Sequence, residues 1–245
     1  MTKLSVNLNK VALLRNSRTI GIPNVLDAAR TCIEAGAHGI TVHPRPDQRH
    51  ITPADVYRLA ELLAAFPTVE FNIEGNPFPE FMSIVRRVKP TQCTLVPDEP
   101  NQRTSDHGWD LAQHGGRLSP IVQELRALGI RISLFMDPDP TQIARVADVG
   151  AERIELYTES YARAYAQGNA EEIFQQFARA AARARELGMG INAGLDLNLR
   201  NLPRFCTIPG ILEVSIGHAL ISDTLQMGLA SAVTAYLRAL GEGSN

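Results

Sequence analysis

The 245-residue sequence lacks the features that mark several broad classes of protein. It contains no run of about 18 apolar residues, so no transmembrane helix is expected. Residues 1–9 lack the apolar stretch and small-residue cleavage site of a signal peptide. The three cysteines, Cys32, Cys93 and Cys206, are odd in number, far apart and form no C-x-x-C motif. This cysteine usage fits a reducing cytosol, and we expect a cytoplasmic protein.

An excess of charge of one sign is also missing. Lys and Arg total 24 and Asp and Glu total 26, which leaves a net charge of −2. This balance provides no general attraction to nucleic acid or to an anionic membrane, so we expect neither as a partner. With 44% hydrophobic and 20% charged residues, the composition is that of a globular protein and excludes disordered and collagen-like chains.

The sequence does contain a loose repeat of helix and strand patterns. Amphipathic stretches end at Gly36, Gly129, Gly150 and Gly188, where glycine suits the left-handed residue that follows a helix. Strand-like runs with apolar centres, typical of parallel strands buried on both faces, are predicted at eight places. They are residues 4–9, 39–43, 69–74, 92–97, 131–136, 153–158, 190–194 and 213–217.

Helical patterns lie between these runs. They cover residues 24–35, 53–65, 79–88, 118–128, 141–149, 171–187, 199–206 and 221–240, with a further short helix at 161–166. Alternation of strand and helix eight times over predicts an α/β fold, a (β/α)8 TIM barrel. No Pro/Gly/Ser-rich linker divides the chain, so we expect one domain over residues 1–245. The alternative is an open doubly wound sheet, but no G-x-G-x-x-G motif follows the first run.

Polar side chains concentrate at the ends of the predicted strands, where TIM barrels hold their active sites. The segment after the second run is the richest, with His43, Arg45, Arg49 and His50. Arginine forks bind phosphate or carboxylate, and a histidine moves protons near neutral pH. One alternative is a solvated basic loop. Another is a metal site of His43, His50 and Glu74, for which no H-x-H or H-E-x-x-H spacing is present.

Two carboxylates and one glycine turn are further candidates. Glu74 ends the third run and Glu155 lies in the sixth, where burial would raise a carboxyl pKa toward useful base strength. The structural alternatives are a salt bridge at the strand end for Glu74 and a paired interior residue for Glu155. Gly217 and His218 open the last connection, which predicts either a phosphate site at a helix N-terminus or a tight turn chosen for its geometry.

Several segments, taken together, resemble the pyridoxine 5′-phosphate synthase family of the deoxyxylulose-phosphate-dependent vitamin B6 pathway. They appear in order over nearly the whole chain, at residues 6–9 (VNLN), 14–18 (LRNSR), 39–45 (GITVHPR), 49–52 (RHIT), 71–74 (FNIE), 95–97 (LVP), 104–105 (TS), 154–155 (IE), 192–194 (NAG) and 216–219 (IGHA). The resemblance implies a TIM barrel that condenses 1-deoxy-D-xylulose 5-phosphate with 3-amino-2-oxopropyl phosphate. The products are pyridoxine 5′-phosphate, phosphate and water, with no metal or organic cofactor, and family members are typically homo-octamers.

The resemblance also implies a role for each matching residue. His43 and Glu74 would be general bases, and Glu155 would assist electrostatically or through a proton. The residues that would hold the aminoketone phosphate are Asn7, Arg18, Asp196, Gly217 and His218. Those that would hold the deoxyxylulose phosphate are Asn9, Lys10, Arg45, His50 and Thr104.

The chain departs from the family pattern at three places. Asn9-Lys10 stands where many members have Asp-His, and Asp196 stands in place of a glycine. The sharpest departure is Leu195, at the position where the family motif has a proton-donating histidine. Leucine donates no proton, and loss of a general acid costs about 10²–10⁴-fold in rate. The alternative function is therefore a sugar-phosphate-binding relative with weakened or no catalysis.

Two other functions differ in class. A metal-dependent barrel lyase or hydrolase would contain stoichiometric metal, and a scaffold protein would leave the strand-end charges unexplained.

The polar segment of residues 98–116 is long for a connection. We expect it to close over the substrates and exclude water.

Overall fold

Eight parallel strands close into a barrel in the computed structural model, which describes residues 1–241. The predicted domain ran to residue 245, so its last residues, 242–245, lie outside the described part of the chain. Each strand pairs with the next, and the eighth pairs with the first, which confirms the predicted TIM barrel. The strands are β1 (Lys3–Asn7), β2 (Gly39–Val42), β3 (Glu70–Gly75), β4 (Gln92–Leu95), β5 (Arg131–Met136), β6 (Arg153–Tyr157), β7 (Gly190–Gly194) and β8 (Ile211–Ile216).

Helices surround the barrel and connect its strands. They are α1 (Asn9–Asn16), α2 (Val25–Glu34), α3 (Pro53–Leu63), α4 (Pro79–Val88), α5 (Leu111–Ala127), α6 (Pro140–Ala144), α7 (Val146–Val149), α8 (Glu159–Ala166), α9 (Glu171–Glu186), α10 (Leu202–Phe205), α11 (His218–Met227) and α12 (Leu229–Ala239). Fully buried apolar side chains fill the space between strands and helices. None of the helices within residues 1–241 is long and apolar enough to cross a bilayer.

The local signals at helix ends were predicted correctly. Gly36, Gly129, Gly150 and Gly188 have φ angles of 101°, 82°, 89° and 74°, the left-handed values that glycine adopts without steric cost. At the start of α3, the Thr52 side chain accepts a hydrogen bond from the N–H of Asp55, and the Asp55 carboxylate accepts one from the N–H of Thr52. This reciprocal capping fixes where the helix begins.

Several predicted boundaries were wrong. The first strand ends at Asn7 instead of residue 9, because α1 begins at Asn9. Helix α5 begins at Leu111 instead of residue 118, because the Asp110 side chain caps the N–H groups of Ala112 and Gln113. Pro120 lies inside this helix rather than near its start. The predicted helix over residues 221–240 is interrupted at Gly228, whose φ is 80° and ψ is 154°.

Side chains alternate along each strand, so every second residue points into the barrel. At the lower end of the barrel, where the strands begin, these residues form a polar network. We call it the lower cluster, and it consists of Lys3, Glu70, Gln92, Arg131, Arg153, Asn192 and Glu213. At the upper end, where the strands finish, the inward residues line an open cavity.

Candidate active site

A cavity of about 800 Å³ opens at the carboxyl ends of the strands. Its volume lies within the range of small-molecule sites, about 300–1,000 Å³. It brings together most residues that the sequence singled out for function. These are Asn7, Asn9, Lys10, His43, Arg45, His50, Glu74, Thr104, Glu155, Asp196, Gly217 and His218.

Arg18 is the exception, and its predicted place in the site is not observed. Helix α1 ends at Asn16, and the chain then turns so that Arg18 is exposed and does not line the cavity. Arg15, earlier in the same segment, does not line the cavity either and forms an ion pair with Asp55. Its guanidinium lies 2.5 Å from the Asp55 carboxylate, which neutralises the positive charge.

The ends of the first two strands are held together by asparagine side chains. The backbone N–H of His43 donates a 2.9 Å hydrogen bond to Oδ1 of Asn9. The backbone N–H of Asn9 in turn donates a 2.9 Å bond to Oδ1 of Asn7. These two bonds tie the start of α1 to the end of β2 and thereby position the His43 imidazole at the cavity wall.

His43 and His50 are held neutral by their surroundings. Their ring centroids lie 6.2 Å apart. Burial lowers the pKa of His43 well below its usual value, and the positive charge of Arg45 adds to the effect. Burial lowers the pKa of His50 to about 4, with Arg45 and Lys10 contributing. At neutral pH both rings are therefore uncharged and able to accept a proton.

Glu74 and Glu155 are the two carboxyl groups that the strands themselves contribute to the cavity wall. In the described chain each accepts one long hydrogen bond, Glu74 from Asn7 Nδ2 at 3.4 Å and Glu155 from Thr94 Oγ1 at 3.4 Å, and neither forms an ion pair. Burial raises the pKa of Glu74 well above its usual value, and the charges of Glu155 and Asp98 add to it.

Burial likewise raises the pKa of Glu155 to about 8, with a contribution from Glu213. Burial therefore favours the protonated form of both carboxyl groups. Each is able to give up a proton, and each becomes a stronger base than an ordinary carboxylate once it has done so.

Arg45 is buried and forms an ion pair with Asp98, just after β4. Arg45 Nη1 also donates a 3.2 Å bond to the carbonyl of Gln102, and Ser105 Oγ donates a 2.7 Å bond to Oδ2 of Asp98. The segment between β4 and α5 is thus folded against the arginine-rich segment after β2. A phosphate that binds Arg45 must share this guanidinium with Asp98.

Helix α11 begins at the cavity with His218, and Gly217 precedes it. The first N–H groups of a helix have no partner inside the helix and attract anions. A Cβ at Gly217 would lie 3.1 Å from the Asn7 side chain, so glycine allows β8 and β1 to approach closely here. The arrangement is able to bind a phosphate.

No group of three or more His, Cys, Asp or Glu side chains in residues 1–241 is arranged to hold a metal ion. The residues proposed for the metal alternative therefore do not form such a cluster in the described chain.

Comparison with known proteins identifies the family. Residues 4–242 match the family model described as pyridoxal phosphate biosynthesis protein PdxJ. The chain belongs to this family. It is 52% identical over 248 residues to pyridoxine 5′-phosphate synthase of Albidiferax ferrireducens, covering 99% of this chain and 98% of that one. It is 53% identical over 250 residues to the protein of the same name from Xanthomonas axonopodis pv. citri, with the same coverage.

A solved structure also shares the fold. Phosphoribosyl anthranilate isomerase from Thermotoga maritima superimposes with a TM-score of 0.58 at 14% identity, over 98% of this chain and 99% of the other. At this identity the likeness concerns the barrel alone.

The turn after β7 is where this PdxJ-family chain departs most from the expected motif. Leu195 and Asp196 both have positive φ angles, 79° and 61°. Thr158 Oγ1 donates a 2.7 Å hydrogen bond to the carbonyl of Gly194 and also contacts the carbonyl of Leu195. A Cβ at Gly194 would clash with Glu155 Oε1, so only glycine fits beside this carboxyl group. The turn is built with Leu195 at the cavity wall.

Further residues of this PdxJ-family cavity were missed from the sequence. They are Arg103, Asp106, Tyr157, Glu159 and Arg163. Tyr157 was detectable, because it lies two residues after Glu155 in the same strand and alternation places both on one face. Arg163 was not detectable, since its position depends on how α8 packs beside the cavity.

Proposed function

We propose that this chain condenses 1-deoxy-D-xylulose 5-phosphate with 3-amino-2-oxopropyl phosphate to give pyridoxine 5′-phosphate, phosphate and water. The observation that carries the proposal is family membership together with relatives named pyridoxine 5′-phosphate synthase at 52% and 53% identity over 99% of the chain. A cavity that combines neutral histidines, protonated carboxyl groups and arginines at its wall supports it.

The proposed chemistry begins with an imine. The substrate amine attacks the sugar carbonyl, and the resulting hydroxyl leaves as water once it is protonated. Glu74 and Glu155 hold protons at neutral pH and are suited to supply one. Neutral His43 is suited to accept a proton from the carbon or nitrogen that loses it. Later elimination and ring closure repeat this exchange between the same acids and bases.

The two phosphates require two cationic or N–H-rich regions. We assign one to the start of α11, with Gly217, His218 and nearby Asn7, and to the turn at Asp196. We assign the other to the region after β1 and β2, where Lys10, Arg45 and His50 lie, together with Asn9 and Thr104. Two separate phosphate regions leave the reacting carbonyl and amine within reach of His43 and the two glutamates.

The segment from Asp98 to Asp110 is proposed to close over the bound substrates. Its contacts with Arg45 support this, because Asp98 and the Gln102 carbonyl bind the guanidinium that a phosphate would also contact.

Cytoplasmic location and a homo-octamer are part of the same proposal and rest on the resemblance to the family. Light scattering coupled to size-exclusion chromatography measures the assembly.

A weakened, substrate-binding relative is the second candidate, and Leu195 is the observation that favours it. The deciding experiment measures pyridoxine 5′-phosphate formation from the two substrates by native protein and by Leu195→His. We expect turnover by the native protein, with at most a small gain in the variant. If only the histidine variant forms product, the chain is a repurposed family member and the proposed function is wrong.

A further inference from the structure

The β6–β7 side of the cavity has few groups that can release a proton. Leu195 presents an apolar side chain, and Asp196 is an exposed acid on the same turn. The hydroxyl of Thr158 is already used in hydrogen bonds to two backbone carbonyls. Arg163 lines this side as well, but a guanidinium keeps its protons at any physiological pH.

Tyr157 is the group on this side that is both free and suitably placed. It is the last residue of β6, and its Cα pairs in register with that of Gly194. Tyr157 is half-buried, and its side chain lines the cavity. Its ring rests on Phe135, with centroids 5.4 Å apart.

The phenolic hydroxyl of Tyr157 makes no hydrogen bond within residues 1–241. Buried or half-buried tyrosines usually find a partner for this group. In this chain the hydroxyl of the fully buried Tyr161 donates to the carbonyl of Asn201, and that of the fully buried Tyr236 donates to the Asp223 carboxylate. A free phenol that faces a cavity is therefore available to a bound molecule.

We propose that Tyr157 is a further catalytic residue, whose phenolic O–H protonates the substrate hydroxyl that leaves as water at the β6–β7 side of the cavity. The inference rests on the proposed function. In this step a base takes a proton from the atom next to the departing hydroxyl, and the freed electron pair forms the new double bond. The C–O electron pair leaves with oxygen, which receives the Tyr157 proton, and the base later returns its proton to the phenolate.

The surroundings of Tyr157 keep its phenol protonated, and a phenol is still a stronger acid than water, so transfer of its proton to a departing hydroxide is favourable. Burial raises the pKa of Tyr157 to about 12, and the carboxylates of Glu159 and Asp196 add to it. The group is therefore a neutral phenol at neutral pH, with its proton in place. Glu155, the other acid on β6, lies one layer deeper and contacts Thr94. The two acids of β6 thus lie at different depths of one cavity.

The test compares steady-state kinetics of the native protein, Tyr157→Phe and Tyr57→Phe. Phenylalanine keeps the ring contact with Phe135 and removes only the hydroxyl. We expect Tyr157→Phe to lower kcat by about 100-fold or more, with KM changed by less than about threefold, because a proton donor acts in the transition state. Tyr57, on α3 and outside the cavity, is the matched control and is expected to leave both constants unchanged.

A double variant supplies a second readout. Adding Leu195→His to Tyr157→Phe places an imidazole on the same turn, at a φ of 79° that histidine tolerates better than leucine. We expect it to recover at least about tenfold in kcat. An active native protein whose Tyr157→Phe variant keeps its kcat overturns this inference and leaves the proposed function standing. A loss confined to KM also overturns it, and a native protein that forms no product overturns both proposals.

Discussion

Two glutamates on one strand of this barrel have opposite electrostatic environments. Glu70 begins β3 and accepts a 2.6 Å hydrogen bond from Lys3 Nζ, while Arg131 pairs with its other oxygen. Burial alone would raise the pKa of Glu70, but these cations hold the pKa below its usual value. Glu74, near the end of the same strand, forms no ion pair within residues 1–241, and burial raises its pKa although the charge of Arg45 acts in the opposite direction.

The difference between the two ends of the barrel is therefore one of pairing. In the lower cluster, Arg131 Nε donates to Gln92 Oε1 at 2.9 Å, and Gln92 Nε2 donates to Glu213 Oε1 at 3.3 Å. Arg153 Nη1 donates to Asn192 Oδ1 at 3.0 Å. These polar groups satisfy one another, as a structural network must. At the upper end the carboxyl groups keep free capacity, which is what an active site needs.

Glu74→Gln tests the upper end and has the largest expected effect. We expect kcat for product formation to fall by about 10²–10⁴-fold, because the amide neither gives nor takes a proton. Thermal stability should not fall, since burial disfavours the charged form of Glu74 and the glutamine amide carries no charge.

The matched control for this variant is Glu61→Gln, on the exposed face of α3, which should keep full activity. If Glu74→Gln also keeps the native kcat, a carboxyl group without an ion pair at the upper end does not indicate a catalytic role. The proposed difference between the two ends is then wrong.

Glu155→Gln tests the upper end through the pH dependence of the unfolding free energy. The folded-state pKa of Glu155 is raised from 4.5 to about 8, so its contribution to stability is complete below pH 4.5 and disappears as the pH rises through about 8. Relative to the glutamine variant, the native protein should lose on the order of 4 kcal/mol of unfolding free energy between about pH 5 and pH 9. Denaturant unfolding at these pH values measures it. Parallel pH profiles for the two proteins would contradict the raised pKa.

Arg131→Met tests the lower end. Methionine keeps most of the length of the side chain but removes one of the two donors to Glu70, which keeps Lys3, and one of the two donors to Gln92, which keeps Asn192. With side chains 23% and 15% exposed, the Arg131–Glu70 pair is largely buried, and we expect unfolding free energy to fall by about 2–4 kcal/mol. The kcat should stay within about twofold of the native value, because the lower cluster does not touch substrate. If kcat falls while the free energy of unfolding does not, the lower cluster contributes to catalysis and the comparison between the two ends is wrong.

Lys3→Met has the smallest expected effect. The Lys3 side chain is 46% exposed, so its ion pair with Glu70 is screened by water and contributes about 0–1 kcal/mol. We expect the melting temperature to change by less than about 4 °C and kcat not to change. A drop as large as that of Arg131→Met would show that the whole lower cluster acts as one unit.

The barrel was predictable because its signals are local. Each glycine that ends a helix and each apolar run is visible within a few residues. Helix α1 was not predicted, since only Val11 and Ala12 of its residues are buried and the apolar pattern is correspondingly weak. The start of α5 was predicted at residue 118, whereas the Asp110 side chain caps the helix further back.

The site was predictable as a set of strand-end residues, but not as a set of interactions. The cations that neutralise Glu70 come from residues 67 and 61 positions away, so the sequence could not separate Glu70 from Glu74 by environment. The same holds for Arg45, whose partner Asp98 lies 53 positions along the chain. Pairing of charges depends on which strands become neighbours, and that is a property of the folded barrel.

The hydroxyl of Thr158 has a consequence for how this site evolves. Thr158, on the neighbouring strand end, binds the carbonyls of both Gly194 and Leu195, so the backbone of the turn is held by a contact that does not involve the side chain at position 195. Mutation at that position therefore changes the chemistry that faces the cavity while leaving its outline intact. Natural variants of this turn are free to exchange one proton donor for another, and selection acts on reactivity there without first having to repair the fold.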